Sequence, residues 1–259
     1  IFAGPDPGSA QRFFDSDRRD ELAGEGLPDP NAGFTFCRLR YRSVRGDGSG
    51  GGWTVDYPRG ERNLLWRLSQ LTPTKTPRTA DGEPKFTVVR ATDLELYQCP
   101  FLMASDVGEL GLDPDEVVAL RDYLLKGGFL WADDYWGEEA RAEFAYQIGQ
   151  VLPEFEIVEL PLSHPLFDVV YEIPEVPQIP NLGFWERSGG GTSEMGQWSE
   201  IPTLRAIVDG TGRIMVVMTH NTDIADGWER ESDSVGYFES FSPDAYAVGV
   251  NIAVWMMTH

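Results

Sequence analysis

Cysteine and histidine are scarce in this chain. Its 259 residues hold two cysteines, Cys37 and Cys99, and three histidines, His164, His220 and His259. No C-x-x-C or zinc-type spacing exists, which excludes the common metal-thiolate and redox motifs. Nothing in the sequence sets the two cysteines side by side, so the expectation is two separate buried thiols. No G-x-S-x-G elbow is present, and Cys99 precedes a proline at the start of a strand. An α/β nucleophile instead needs the sharp turn at a strand's C-terminal end, so nucleophilic catalysis lacks its parts.

Positive charge is also in short supply. Lys and Arg total 21 against 42 Asp and Glu, for a formal charge of -21. Such a surface repels nucleic-acid phosphates and anionic lipid, and favours basic proteins or divalent ions. No apolar run reaches the ~18 residues of a membrane span, and the C-terminal apolar stretch is broken by Asn251. Gly46, Gly48 and Gly51 fit G-x-G-x-x-G after a strand. The residues that follow, Trp53 to Pro58, cannot open the helix that a pyrophosphate needs. No dinucleotide, and no other cofactor, is expected.

What is present is apolar and patterned. Hydrophobic residues make up 41%, which separates the chain from disordered sequences. Residues 1–33 are rich in Gly, Pro, Asp and Arg and read as an extended arm, with Phe13–Phe14 as an anchor. Residues 34–259 read as one α/β domain. Strands are expected at 34–42, 86–91, 99–105, 129–133 and 155–160, with helices near 60–72, 113–126 and 138–150. Asp113, Pro114 and Glu116 mark a capped helix start, and Gly127–Gly128 mark its end. Residues 161–202 are a proline- and glycine-rich excursion, too long for an ordinary connection. Two strands then flank Asp209–Gly212 as a hairpin, and a last helix is expected from Ser242–Pro243. The sum is a three-layer α/β fold, mostly parallel, with an antiparallel hairpin at one edge.

The candidate site is built on GGFLWADDYWG, Gly127 to Gly137. Asp133 and Asp134 end a parallel strand, at the edge where open α/β sheets bind ligands. Neighbours on a strand face opposite sides, so both enter one pocket only if the strand has already ended. One would bind and the other cap the helix near Glu138. Asp223 in HNTDIADGW and His164 in SHPLF follow other strands and could face the same edge. Asp133 or Asp134 with His164 and Asp223 could hold a divalent ion or activate water. The bland alternative is that the acids accept backbone N–H bonds and fix the turn. Trp136 and Trp228 are among the aromatics of these loops, which could line a cleft for sugar or a partner segment, or anchor the core.

The ordered set FCRLRY, GGWTVDYPRGERNLL, LRDYLLKGGFLWADDYWG, VLPEFEIVELPLSHPLF, HNTDIADGW and GVNIAVWMMT resembles the DUF4159 family, a bacterial group without established chemistry. The resemblance spans nearly the whole of 34–259. It implies a flavodoxin-like sandwich similar to class I glutamine amidotransferases, without their nucleophile or His-Glu pair. Members often carry export signals or anchors, and this chain starts without Met, so a periplasmic or secreted location is expected. The leading functional expectation is a non-catalytic accessory subunit clasping a larger membrane complex with a basic exposed face. A metal-dependent hydrolase and a carbohydrate-binding module are the alternatives.

Overall fold

The structure, a computed structural model, describes residues 33–44 and 51–259. The expected arm and most of the glycine loop lie outside the described residues. The strands are β1 (Phe36–Leu39), β2 (Arg42–Ser43), β3 (Thr87–Val89), β4 (Phe101–Ala104), β5 (Leu110–Gly111), β6 (Phe129–Ala132), β7 (Ile157–Glu159), β8 (Thr203–Val208) and β9 (Ile214–His220). The helices are α1 (Arg59–Leu71), α2 (Pro114–Leu125), α3 (Gly137–Val151), α4 (Leu182–Ser188), α5 (Asp226–Glu229) and α6 (Val235–Thr258).

A seven-stranded sheet runs in the order β3-β1-β4-β6-β9-β8-β7. β3, β1, β4, β6 and β9 are parallel neighbours, while β8 is antiparallel to both β9 and β7. The hairpin expected at the edge is therefore one strand in from it, with β7 outermost. β2 and β5 form a separate two-stranded ribbon, so the first strand ends at Leu39 and does not reach Arg42.

The period of two decides which side chain meets which layer. Phe36, Phe101, Met103, Phe129 and Trp131 enter one core with Leu64, Leu65 and Leu68 of α1 and Val250, Ile252 and Ala253 of α6. Cys37, Leu39, Leu102, Ala104, Leu130 and Ala132 enter a second core with Leu120 and Leu124 of α2 and Phe144, Ile148 and Val151 of α3. Strands buried on both faces need such continuous apolar runs, since each fully buried large side chain contributes about 1.5–3 kcal/mol.

The ends of α2 follow the sequence signals. The Asp113 N–H donates to Glu116 Oε2 at 2.9 Å, with Pro114 at the first helical position. Gly127 takes φ 109°, and its N–H and that of Gly128 donate back to Leu124 O and Tyr123 O. That pair of bonds is a Schellman stop, which aims the chain directly into β6.

Two further expectations fail here. α6 begins at Val235, with Ser234 Oγ accepting from Tyr237 N, and Pro243 sits inside it. The proline marked a start by rule, but a long helix buried on one side can forgo one backbone bond. Gly249 lets this helix come close: a Cβ there would lie 2.5 Å from the Trp228 ring. The second failure is the cysteines. Cys37 and Cys99 form a disulfide, with Cα atoms 5.8 Å apart. β1 and β4 pair in parallel with Cys37 opposite Leu102, and the turn into β4 carries Cys99 back beside Cys37; which strands become neighbours is not written in either strand.

The excursion at 161–202 is anchored from below. The Asn251 side chain, the polar break in α6, accepts from Val170 N and Tyr171 N and donates to Leu166 O and Tyr171 O. A buried amide that meets all its bonds costs little and fixes a backbone. The segment then crosses the C-terminal edge of the sheet, where Asp223 N donates to Ile179 O and Leu182 N to Asp226 Oδ2.

Candidate functional site

The parallel strands β1, β4, β6 and β9 all end on one edge, and each end is followed by acid. After β1 the chain turns through Trp53 and Val55 to Asp56, whose φ is 62°. Arg38 of β1 holds that turn. Its guanidinium donates to Trp53 O at 3.0 Å and to Val55 O, and pairs with Glu61 of α1 at 3.1 Å, both side chains 1% exposed. After β4, Asp106 takes φ 53° and accepts from Gly52 N at 2.9 Å. β6 delivers Asp133 and Asp134. β9 is followed by Asp223 and by Asp226 at the start of α5.

β6 ends at Ala132, and Asp134 takes φ 54°, so strand alternation no longer separates the two acids. Asp133 is fully buried; it accepts from Thr219 Oγ1 and from Ala225 N at 3.0 Å. Asp134 is half-buried and accepts from Trp136 Nε1 at 2.9 Å. Neither caps α3; its Gly137 N–H is taken by Asn221 Oδ1 at 2.9 Å. The turn-fixing alternative thus describes part of what Asp133 does.

The tightest group is one the sequence only half disclosed. Asp56, Asp223 and Asp226 are buried and each offers a carboxylate oxygen within 4.8 Å of the others. Asp56 Oδ2 accepts from Ser105 Oγ at 3.1 Å, whereas its Oδ1 has no partner among the described residues. Asp223 Oδ1 accepts from Asp226 N at 2.9 Å. Asp226 accepts from Leu182 N, Tyr237 Oη and, at 3.2 Å, Arg230 Nε. Burial, then Asp226, raises Asp56 well above the ordinary carboxylate range, with Arg38 opposing. Burial and then Asp134, Asp56 and Asp226 do the same to Asp223. Asp134 rises through burial, Asp56 and Asp106. Crowded acids of this kind take up protons or a cation.

His164 does not join them. Its Nδ1 accepts from Leu166 N at 3.2 Å, and its ring lies 5.0 Å from that of Trp255. Burial lowers its pKa, away from the charged form. Trp228 is fully buried, edge-on to Trp131 at 5.4 Å, and is core instead of cleft lining. His220 packs on Tyr135 at 4.8 Å, contacts Gly137 O at 3.0 Å, and is lowered to about 4 by burial. A cleft of about 330 Å³ opens elsewhere, beside Tyr135 and Phe144. Its Arg141 and Arg205 are each paired with a glutamate, so it offers no unopposed positive charge.

Of the acids that the structure brings to this edge, the sequence reading names Asp133, Asp134 and Asp223, and leaves out Asp56, Asp106 and Asp226. Asp226 lay in the quoted HNTDIADGW and Asp56 in WTVDYP, but only the parallel order of the strands brings those stretches together.

The crowding has a measurable consequence. Burial pushes Asp133 up to about 6, against the hydrogen bonds from Thr219 and Ala225. An unfolded Asp titrates near ~3.9, so above pH ~6 the native carboxylate carries a penalty of ~3 kcal/mol. Protonation relieves it as pH falls through about 6, and the relief is complete near pH ~4. In EDTA, the Tm difference between wild type and Asp133→Asn should shift in favour of wild type between pH 7 and pH 5, a comparison in which the opposing titration of His220 cancels. A difference that stays constant or shifts the other way would show that the buried acid is not under strain.

No curated protein matches the chain. The family model described as "Domain of unknown function (DUF4159)" matches residues 35–257, taking in every strand end that carries an acid, and the chain belongs to that family.

Proposed function

We propose that this chain is a non-catalytic accessory domain of the bacterial cell envelope, which clasps other protein subunits of a membrane-bound complex through a basic partner face. The observation that carries this reading is the chemistry at the sheet edge. Carboxylates dominate there, beside Tyr237, Arg38 and Arg230; His164 Nδ1 is taken by Leu166 N, His220 contacts Gly137 O, and the cysteines are joined to each other. An amidotransferase-type thiol is absent among the described residues. On this reading the sheet is a flavodoxin-like three-layer sandwich of the glutamine amidotransferase kind. The parallel order β3-β1-β4-β6-β9, in which the direction of winding reverses between β1 and β4, supports this reading. The disulfide supports a periplasmic or secreted location, since such bonds persist in oxidising compartments.

A contact lip supports the docking role. Met195, Trp198 and Ile201 are exposed at 50%, 71% and 72%, and they adjoin the ends of β6 and β9 through Gly137, which faces Met195 and Trp198, and Asn221, which donates to Ile201 O. Apolar anchors beside one sign of charge suit a partner with basic residues around an apolar pocket. Purification of the full chain from native membranes tests this. A basic subunit should remain bound at low salt and leave at high salt, and Trp198→Ala with Ile201→Asp should release it without changing Tm. A chain that stays alone under gentle extraction overturns the reading.

The second reading, a metal-dependent hydrolase, rests on the carboxylate oxygens of Asp56, Asp223 and Asp226, which converge within 4.8 Å and could hold an ion that activates water. Turnover of ester, phosphoester or glycoside substrates that Asp223→Asn abolishes would favour it over the first.

A further inference from the structure

We propose that Asp56, Asp223 and Asp226 bind one hard divalent cation, calcium in preference to magnesium. This goes beyond the accessory role and stands or falls without it. Three observations carry it. The ligand atoms are all carboxylate oxygens, converging within 4.8 Å from the loop after β1, the loop after β9 and the start of α5. Oxygen-only sets select calcium and magnesium, whereas zinc takes nitrogen or sulfur as a rule. Asp56 is 5% exposed and its Oδ1 has no partner among the described residues. A buried carboxylate oxygen left without a donor is costly, and a cation beside it removes that cost.

The third observation is charge balance. Asp133, Asp134 and Glu229 stand around the trio, against Arg230, which reaches Asp226 at 3.2 Å, and Arg38, which is paired with Glu61. Arg230 is itself shared with Glu229 and Asp233. One cation would offset charge that these arginines leave uncompensated.

Ligand type favours calcium. Magnesium retains water and commonly takes only one or two carboxylates, whereas calcium accepts several from the protein. Asp226 Oδ2 accepts from Leu182 N and Tyr237 Oη, whereas Oδ1 accepts from Arg230 Nε and keeps a lone pair for the ion.

The test uses the full chain, stripped with EDTA and titrated with calcium chloride, with magnesium chloride in parallel. Calorimetry should give one calcium per chain, with magnesium at least tenfold weaker. Tm should rise by about 5–10 °C at a hundredfold excess over Kd. Asp56→Asn should lose at least tenfold in affinity while raising the Tm of the metal-free protein, because it removes one of the crowded charges. A merely structural Asp56 would lower that Tm. If Asp56→Asn does not fold, Asp223→Asn supplies the same pair of readouts. Absence of calcium binding by the wild-type chain, or equal binding by the variants, overturns the proposal.

Discussion

Cys99→Ser is expected to lower the free energy of unfolding by about 4 kcal/mol, the loop-closure value for a bridge of this span. The disulfide joins residues 62 apart in sequence, so its loss frees a long loop in the unfolded chain. The native sheet keeps its pairing, because β1 and β4 are joined by backbone bonds as well. Urea unfolding should show a lower midpoint and a larger m-value, since the uncrosslinked denatured state exposes more surface. Cys37→Ser should match it, and the double variant should cost no more than either single one. A loss under about 1 kcal/mol would mean the bond does not constrain the unfolded chain as the loop length requires.

Arg38→Met is expected to cost about 3–5 kcal/mol, the range for breaking a buried ion pair from one side. Arg38 and Glu61 are both 1% exposed, and methionine leaves Glu61 buried without its countercharge. The variant also removes the donors to Trp53 O and Val55 O, which shape the turn that carries Asp56. Adding Glu61→Leu should recover most of the stability, since an apolar pair can replace a buried ion pair. The turn would remain loose, so the double variant should be nearly as stable as wild type yet weaker in calcium affinity. Recovery of both would show that Arg38 acts through charge balance alone.

Much of the fold was legible because local signals agreed. The runs around β4 and β6 are apolar on both faces, which is what a strand between two helix layers needs. Asp113, Pro114 and Glu116 opened α2, and Gly127 closed it. What escaped depended on strand order. Cys37 and Cys99 are unremarkable until β1 lies beside β4, and Asp56 is a loop acid until the end of β9 is beside it. Pro243 misled because its rule is local, while α6 is held by contacts along its whole length. His164 was assigned to the edge from its position after a strand, but its ring turned to Trp255 on α6.

Asn251 sets what the excursion can tolerate. One amide grips the backbone at 166–171, and Ile179 and Leu182 fasten the same segment to the acids' own loop. The two residues just after α4, Gly189 and Gly190, are exposed and lie outside those fastenings. Insertions, cleavage or a fused tag there leave the roof over the acids in place, which makes it the natural point at which to attach a probe.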